Sequence, residues 1–303
     1  MPTTAQHRRR QPLGGAVRVL THRSTSKLFF GISFIRPVSL LPNPPQVVGV
    51  NVAFALAYSL LLIAASMQFH IGTSGWAYPT WKPDFYPAKT PSSKLLDYYS
   101  TQLNCVEVNY TFRARPALKT LQNWATVTPD GFTFVAKAHQ RITHIKRLTD
   151  VDQDVDAFFA ALQPLLHAHK LGPILFQLPP NLKADADRLA KFLKILPTDA
   201  PAAIEYRNTS WFNDSIYALM RDHNVALCIA ESDNLAVPEV FTANFTYYRL
   251  RKSDYSDAEI DKVAKRLRAA AQEREVYAFL KHEETPEGAI NAKKLLQRLT
   301  ATT

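Results

Sequence analysis

ILFQLPPNLKADADRLAKFLKILPTDAPAAIEYR, the stretch from Ile174 to Arg207, decides the fold. Ile174 to Leu178 is a short apolar run that stops at Pro179-Pro180. Leu189, Phe192, Leu193 and Leu196 then recur at helical spacing, and Ala202 to Tyr206 is a second short apolar run. Runs of this length read as strands covered on both faces, and a stripe of period 3.6 is the face of a helix laid over them. The unit is therefore strand, helix, parallel strand.

The same unit extends in both directions. Phe69 to Gly72, Cys105 to Tyr110 and Phe132 to Ala138 precede it; Val225 to Ala230, Phe245 to Leu250 and Val276 to Leu280 follow. Most of the gaps carry helical stripes, such as Val155, Phe158, Leu162 and Leu166, or Ile260, Val263 and Leu267. Start signals fit these stripes: Ser92 or Ser93 precedes the first, and Ser256-Asp-Ala-Glu259 reads as a capping box before the seventh. Asn234 to Asn244, which contains Pro238, is too short for a full helix and reads as a loop or a single turn. Eight strands alternating with helices predict a single-domain (β/α)8 barrel, whose chemistry sits at the C-terminal ends of its strands.

Charge divides unevenly along the 303 residues. The formal net charge is +10, but residues 1–66 hold seven Arg or Lys and no Asp or Glu, which leaves +3 for residues 67–303. A barrel-wide basic surface for nucleic acid is thereby disfavoured. Val47 to Ala65 is almost wholly apolar and follows a basic stretch. Residues 1–66 thus form a non-barrel extension with three readings: sequence upstream of a working start at Met67, a membrane anchor through residues 47–66, or a targeting peptide. The first goes with a cytoplasmic protein, the second with one anchored in an inner membrane. Residues 67–303 are the barrel. Cys105 and Cys228 lie inside apolar runs and read as buried, reduced thiols.

Strand alternation sorts the polar residues, because side chains two apart share a face. Glu107 and Asn109 share a face of strand two, Lys137 and His139 of strand three, and Glu205 and Arg207 of strand five; Gln177, Glu231 and Arg249 end strands four, six and seven. If these faces point inward, Glu107, Glu205 and Glu231 meet Lys137, Arg207 and Arg249 in a nearly neutral cluster able to shift pKa values. A buried ionic plug that merely satisfies its own members is the competing reading. Trp76, with Tyr78, Trp81, Phe85 and Tyr86, suits either stacking on a ligand or a satellite core. His144 reads as an acid–base group, a phosphate ligand or a surface histidine, and Lys281-His282-Glu283-Glu284 ends strand eight. Glu107, Glu205, Glu231 and His139 are suitable ligands for a divalent metal, although three nearby cations oppose one.

Ile71-Gly-Thr-Ser-Gly-Trp-Ala-Tyr78, Phe85-Tyr-Pro87, Val106-Glu-Val-Asn109 with Thr111-Phe112, Phe134-Val-Ala-Lys137, Thr143-His144, Leu175-Phe-Gln-Leu-Pro-Pro180 and Ile204-Glu-Tyr-Arg207 with Ser210-Trp211 together resemble the YecE-like family, a domain of unknown function. The resemblance covers residues 69 to about 299 and implies a TIM barrel. It departs late in the chain. Many members read Arg-Leu-His-Gly where this chain has Arg249-Leu-Arg251-Lys252, and Phe-Asn-Asn-Asp where it has Phe279-Leu-Lys-His-Glu283.

The leading expectation is a hydrolase- or lyase-like enzyme acting on an anionic or polyhydroxylated small molecule without a bound organic cofactor. Glu107 or Glu205 would be the base, Lys137 the acid or charge stabiliser, Arg207 and Arg249 the anion clamps, and Asn109 and Gln177 orienting donors; Trp76, His139, His144 and Glu231 complete the binding set. The alternatives are a metal-assisted phosphodiesterase, endonuclease-like or sugar-isomerase-like barrel, and a non-catalytic module that binds nucleic acid or a protein.

Overall fold

The structure is a computed structural model that describes residues 69–198, 200–281 and 285–301. Every reading of residues 1–66, and the segment 282–284, lies outside these residues. Eight parallel strands close into a barrel in sequence order: β1 (Phe69–Thr73), β2 (Cys105–Val108), β3 (Thr133–Lys137), β4 (Leu171–Gln177), β5 (Ala202–Glu205), β6 (Val225–Ala230), β7 (Phe245–Leu250) and β8 (Glu275–Leu280). The helices are α1 (Leu95–Gln102), α2 (Leu118–Val127), α3 (Asp152–His167), α4 (Ala186–Lys194), α5 (Asp214–Asp222), α6 (Asp257–Ala270) and α7 (Glu287–Thr300). No helix stands between β6 and β7, in keeping with the Pro238 loop. No helix among the described residues is long and apolar enough to cross a membrane.

Alternation along the strands builds two cores. Val106, Val108, Phe134, Ala136, Ile174, Phe176, Ile204, Leu227 and Leu250 face the helices and join Leu121, Phe158, Leu189, Leu267 and Leu295 in the larger one. The intervening residues, among them Cys105, Val135, Leu175, Ala203, Cys228, Tyr247, Tyr277 and Phe279, fill the barrel interior. A barrel packed this way is a solid core, and space for a ligand opens only at its ends. Cys105 and Cys228 are buried free thiols in the inner core, where desolvation pushes both well above the ordinary thiol range.

Local chemistry sets the element ends. Ser256 accepts from the Glu259 backbone N–H while the Glu259 carboxylate accepts from the Ser256 backbone, so α6 has the expected capping box. Asp185 and Asn213 cap α4 and α5 through their side chains. Ser92 and Ser93 do not cap α1; they form a 3-10 turn, Ser92–Lys94, that leads into it without a side-chain cap. β4 begins earlier than its apolar run because Leu171-Gly-Pro173 is absorbed as an irregularity: Leu171 pairs Phe134, yet Ile174 pairs Ala136. Pro173 has no N–H to give, and a bulge is where a strand tolerates it.

Candidate functional site at the C-terminal mouth

Arg249, on the inner face of β7, lies at the centre of the mouth. Its Nη2 is 2.6 Å from Glu107 Oε1 and its Nη1 is 2.6 Å from Glu205 Oε2, so one guanidinium bridges β2 and β5 across the barrel. All three side chains are buried. Ser74 Oγ donates to Glu107 Oε1 at 2.8 Å, and the Tyr247 hydroxyl donates to Oε2 at 2.7 Å. Gln177 Nε2 donates to Glu205 Oε2 at 2.9 Å, and Arg207 Nε donates to Oε1 at 3.1 Å. Every carboxylate oxygen of the pair is thus occupied.

The charges follow from these contacts. Burial is the largest single influence and would raise both carboxyls, but Arg249 and the other partners together outweigh it. With Tyr247 and Ser74, Arg249 holds Glu107 below the usual range; with Arg251, Arg207 and Gln177, it pulls Glu205 down to about 2. Both are anions at neutral pH and poor proton acceptors. Burial likewise opposes the charge on Arg249, and its two carboxylate partners more than restore it.

Lys137 ends β3 and is partly exposed. Its Nζ donates to Gln177 Oε1 at 2.9 Å and sits 4.4 Å from the centre of the Phe112 ring. Burial, then Arg249, lowers its pKa to about 8 against the opposing pull of Glu107 and Glu205. The edge of His144 meets the same ring, with centroids 4.9 Å apart, in a π-helical turn spanning Arg141–Ile145. The Thr143 hydroxyl is 2.9 Å from His144 Nδ1. Burial, then Lys137 and Arg207, keeps His144 below the ordinary imidazole pKa. Arg147, Leu148 and Asp150 follow with φ of 51°, 66° and 50°, left-handed values that non-glycine residues seldom hold and that gather near functional loops.

Not every expected residue joins the cluster. The Glu231 carboxylate turns to the loop after β7, where it accepts from the Arg251 backbone N–H at 2.8 Å and from the Tyr255 hydroxyl. Arg251 points into the mouth instead, with Nη2 3.8 Å from Glu205 Oε1. The nearly neutral cluster is therefore corrected: two carboxylates, Glu107 and Glu205, meet four cations, Lys137, Arg207, Arg249 and Arg251. His139 does not share a site with Lys137, because β3 ends at Lys137 and strand alternation ends with it. Its ring nitrogens lie 3.3 Å from the Arg113 carbonyl and 3.3 Å from the Arg141 backbone N–H. Asn109, just past the end of β2, has helical backbone angles, and its Oδ1 is buried without a hydrogen-bond partner.

Of the first-loop aromatics, Trp81, Phe85 and Tyr86 are core, whereas Trp76 and Tyr78 are half-buried against it. Trp81 and Tyr86 are fully buried, and Trp76 packs edge-on against Trp124, with centroids 4.9 Å apart. Of the two readings of this loop, the geometry favours the satellite core. A cleft of 990 Å³ opens beside Glu205 over the ends of β5 to β8, lined by Arg207, Asn208, Glu231, Arg251, Lys252 and Lys281 among others. Among the described residues no group of three or more His, Cys, Asp or Glu side chains could hold a metal ion.

Ser74, Tyr247, Arg251 and Tyr255 were not expected in the site. Tyr247, Arg249 and Arg251 lie at i, i+2 and i+4, so the strand period already marked two of them. Ser74 follows β1 in the Gly-Thr-Ser-Gly turn, and only folding brings it to Glu107. Tyr255 reaches Glu231 through a loop, for which the sequence carries no period.

Known proteins resemble this chain in two ways. A family model described as "Protein of unknown function DUF72" matches residues 70–303. UPF0759 protein YunF of Bacillus subtilis is 34% identical over 156 residues, 50% of this chain and 54% of that protein. The chain thus aligns with about half the length of this curated relative. Two crystal structures share the fold: a DUF72 family protein from Thermotoga maritima, with a TM-score of 0.69, 22% identity and coverage of 77% of this chain and 100% of that one, and one from Enterococcus faecalis, with a TM-score of 0.62, 19% identity and coverage of 78% and 98%.

Proposed function

This chain belongs to the DUF72 family, and from that premise we propose that it is a hydrolase- or lyase-like enzyme acting on an anionic, hydroxylated small molecule at the C-terminal mouth. The observation that carries the reading is that four cations, Lys137, Arg207, Arg249 and Arg251, gather around two buried carboxylates there. Arg207 and Arg251 border a cleft wide enough for a metabolite, and Glu205, the carboxylate both approach, is already bound to Arg249; Glu231, Asp233 and Asp254 line the same cleft, and Glu231 is engaged by the Arg251 backbone and Tyr255. A cationic recess with low-dielectric walls concentrates anions. Asn109 Oδ1, buried and without a partner, is an acceptor for a ligand hydroxyl.

Roles follow from the bonding. Glu107 and Glu205 fix Arg249 and set the field. Lys137, with a pKa near 8, takes the proton-transfer role first expected of the carboxylates, because general acid–base groups work best near the operating pH. Arg207 and Arg251 clamp the anion, and His144 stands beside Lys137 as a neutral imidazole. Two unpaired thiols support a reducing compartment, and we place the protein in the cytoplasm.

Thermal-shift screening of the full chain against phosphorylated metabolites, hydroxy acids, nucleotides, neutral sugars and divalent metals tests this reading. Anions should stabilise the chain, and Arg251→Ala should abolish the effect. Stabilisation by neutral sugars alone, or stoichiometric metal in protein purified without chelators, overturns it.

A further inference from the structure

Three of the four cations around Glu107 and Glu205 are arginines, each within 4 Å of a carboxylate. A guanidinium stays protonated in proteins, so these are permanent charges. Lys137 is different. Its hydrogen-bond partner is the amide oxygen of Gln177, and Gln177 is held in that orientation because its Nε2 donates to Glu205. An amide oxygen accepts from an ammonium or from a neutral amine, whereas a carboxylate would hold the proton in place. One side of the amine rests on the Phe112 ring. The geometry is that of an oriented amine whose lone pair is within reach of release; Gln177 links it to Glu205, which lines the cleft, while Lys137 itself stands behind that lining.

We propose that Lys137 is a covalent catalyst whose amine condenses with the carbonyl of an anionic aldehyde or ketone seated on Arg207 and Arg251. This rests on the reading of the mouth as an anion-binding enzyme site. The lone pair of the neutral amine adds to the carbonyl carbon, and the carbonyl oxygen takes a proton to give a carbinolamine. Loss of water gives an iminium, so amine, carbonyl and one proton yield iminium and water. No oxidant or reductant is consumed. The iminium then accepts the electron pair of the adjacent C–C bond as a β-hydroxyl gives up its proton and its carbon departs as a second carbonyl compound. The enamine left behind takes a proton back, and water hydrolyses the iminium to return the amine, which makes the overall reaction lyase-like. The anion carried by the substrate pairs with the guanidinium groups of Arg207 and Arg251. A lowered lysine pKa, caused first by burial and then by Arg249, fits the need for a neutral amine. His144, which also packs against the Phe112 ring, is placed to relay the proton that the oxygen takes up before it leaves as water.

The full chain is incubated with sodium cyanoborohydride and, in turn, pyruvate, glyoxylate, dihydroxyacetone phosphate or neutral acetone, then peptide-mapped, with thermal shift measured in parallel without reductant. The expected result is one adduct, on Lys137, formed from at least one anionic carbonyl about tenfold faster than from acetone. It should be lost in Lys137→Arg, and Arg251→Ala should slow it to the acetone rate. An anionic carbonyl that stabilises the chain but leaves Lys137 unmodified overturns covalent catalysis and leaves the anion site standing. Absence of both stabilisation and adduct overturns both readings. Adducts spread evenly over surface lysines, or acetone reacting as fast as the anions, also overturn the inference. If Lys137→Arg fails to fold, the wild-type peptide map and competition by inorganic phosphate carry the test.

Discussion

Removing Arg249 would leave Glu107 and Glu205 buried without their shared countercharge. Breaking a buried ion pair in this way costs about 3–5 kcal/mol, so Arg249→Met should lower urea-unfolding stability by that order. A loss below about 1 kcal/mol would mean the bridge is not what keeps the carboxylates charged. Arg249→Lys should not rescue it, because a point charge cannot serve two carboxylates on opposite sides. Acid should attack the same residues. Glu205 falls from 4.5 to about 2 on folding, so its contribution is complete above pH 4.5 and lost as pH falls toward 2, on the order of 3 kcal/mol in all. His70, stacked on Tyr277 and lowered by burial to about 4, must stay neutral in the fold, so its penalty begins as pH drops below 6.5. Urea midpoints between pH 7 and pH 3 should therefore decline across both windows, and Glu205→Gln should flatten the lower one. Glu107, Glu205 and Arg249 were legible as inward residues. That Glu231 would leave them for Arg251 and Tyr255 was not, since a loop decides it.

The strands were legible for a physical reason: buried on both faces, they are short apolar runs whose ends moved by only a few residues. The Gly172-Pro173 irregularity was hidden because both residues read as turn formers. At Gly72 the barrel tolerates no side chain. A Cβ there would lie 1.9 Å from the Cys105 carbonyl oxygen, across the β1–β2 pairing, where the register joins Gly72 to Cys105. Gly72→Ala should cost at least ~3 kcal/mol, and an unchanged urea midpoint would refute this close approach. The α6 capping box is a milder case. Ser256→Ala should cost ~1 kcal/mol and lower the Tm by roughly 2–4 °C, measured by calorimetry.

For the whole molecule, ligand and fold are coupled. An anion bound at one hundred times its Kd stabilises the barrel by about 2.7 kcal/mol, which should raise its Tm by several degrees. Added salt should weaken the effect, because Arg207 and Arg251 are partly open to solvent. The bridge that shapes this site also joins two halves of the polypeptide. Glu107 and Gln177 come from β1 to β4, whereas Arg249, Tyr247 and Glu205 come from β5 to β8, and every bond between the two sets crosses the midpoint of the barrel. The second half keeps Arg249 paired with Glu205, but the first leaves Glu107 without its guanidinium. A chain severed between α4 and β5 would yield one fragment whose buried carboxylate needs the other's arginine, so reassembly from separately produced halves should be weakened when Arg249 is replaced.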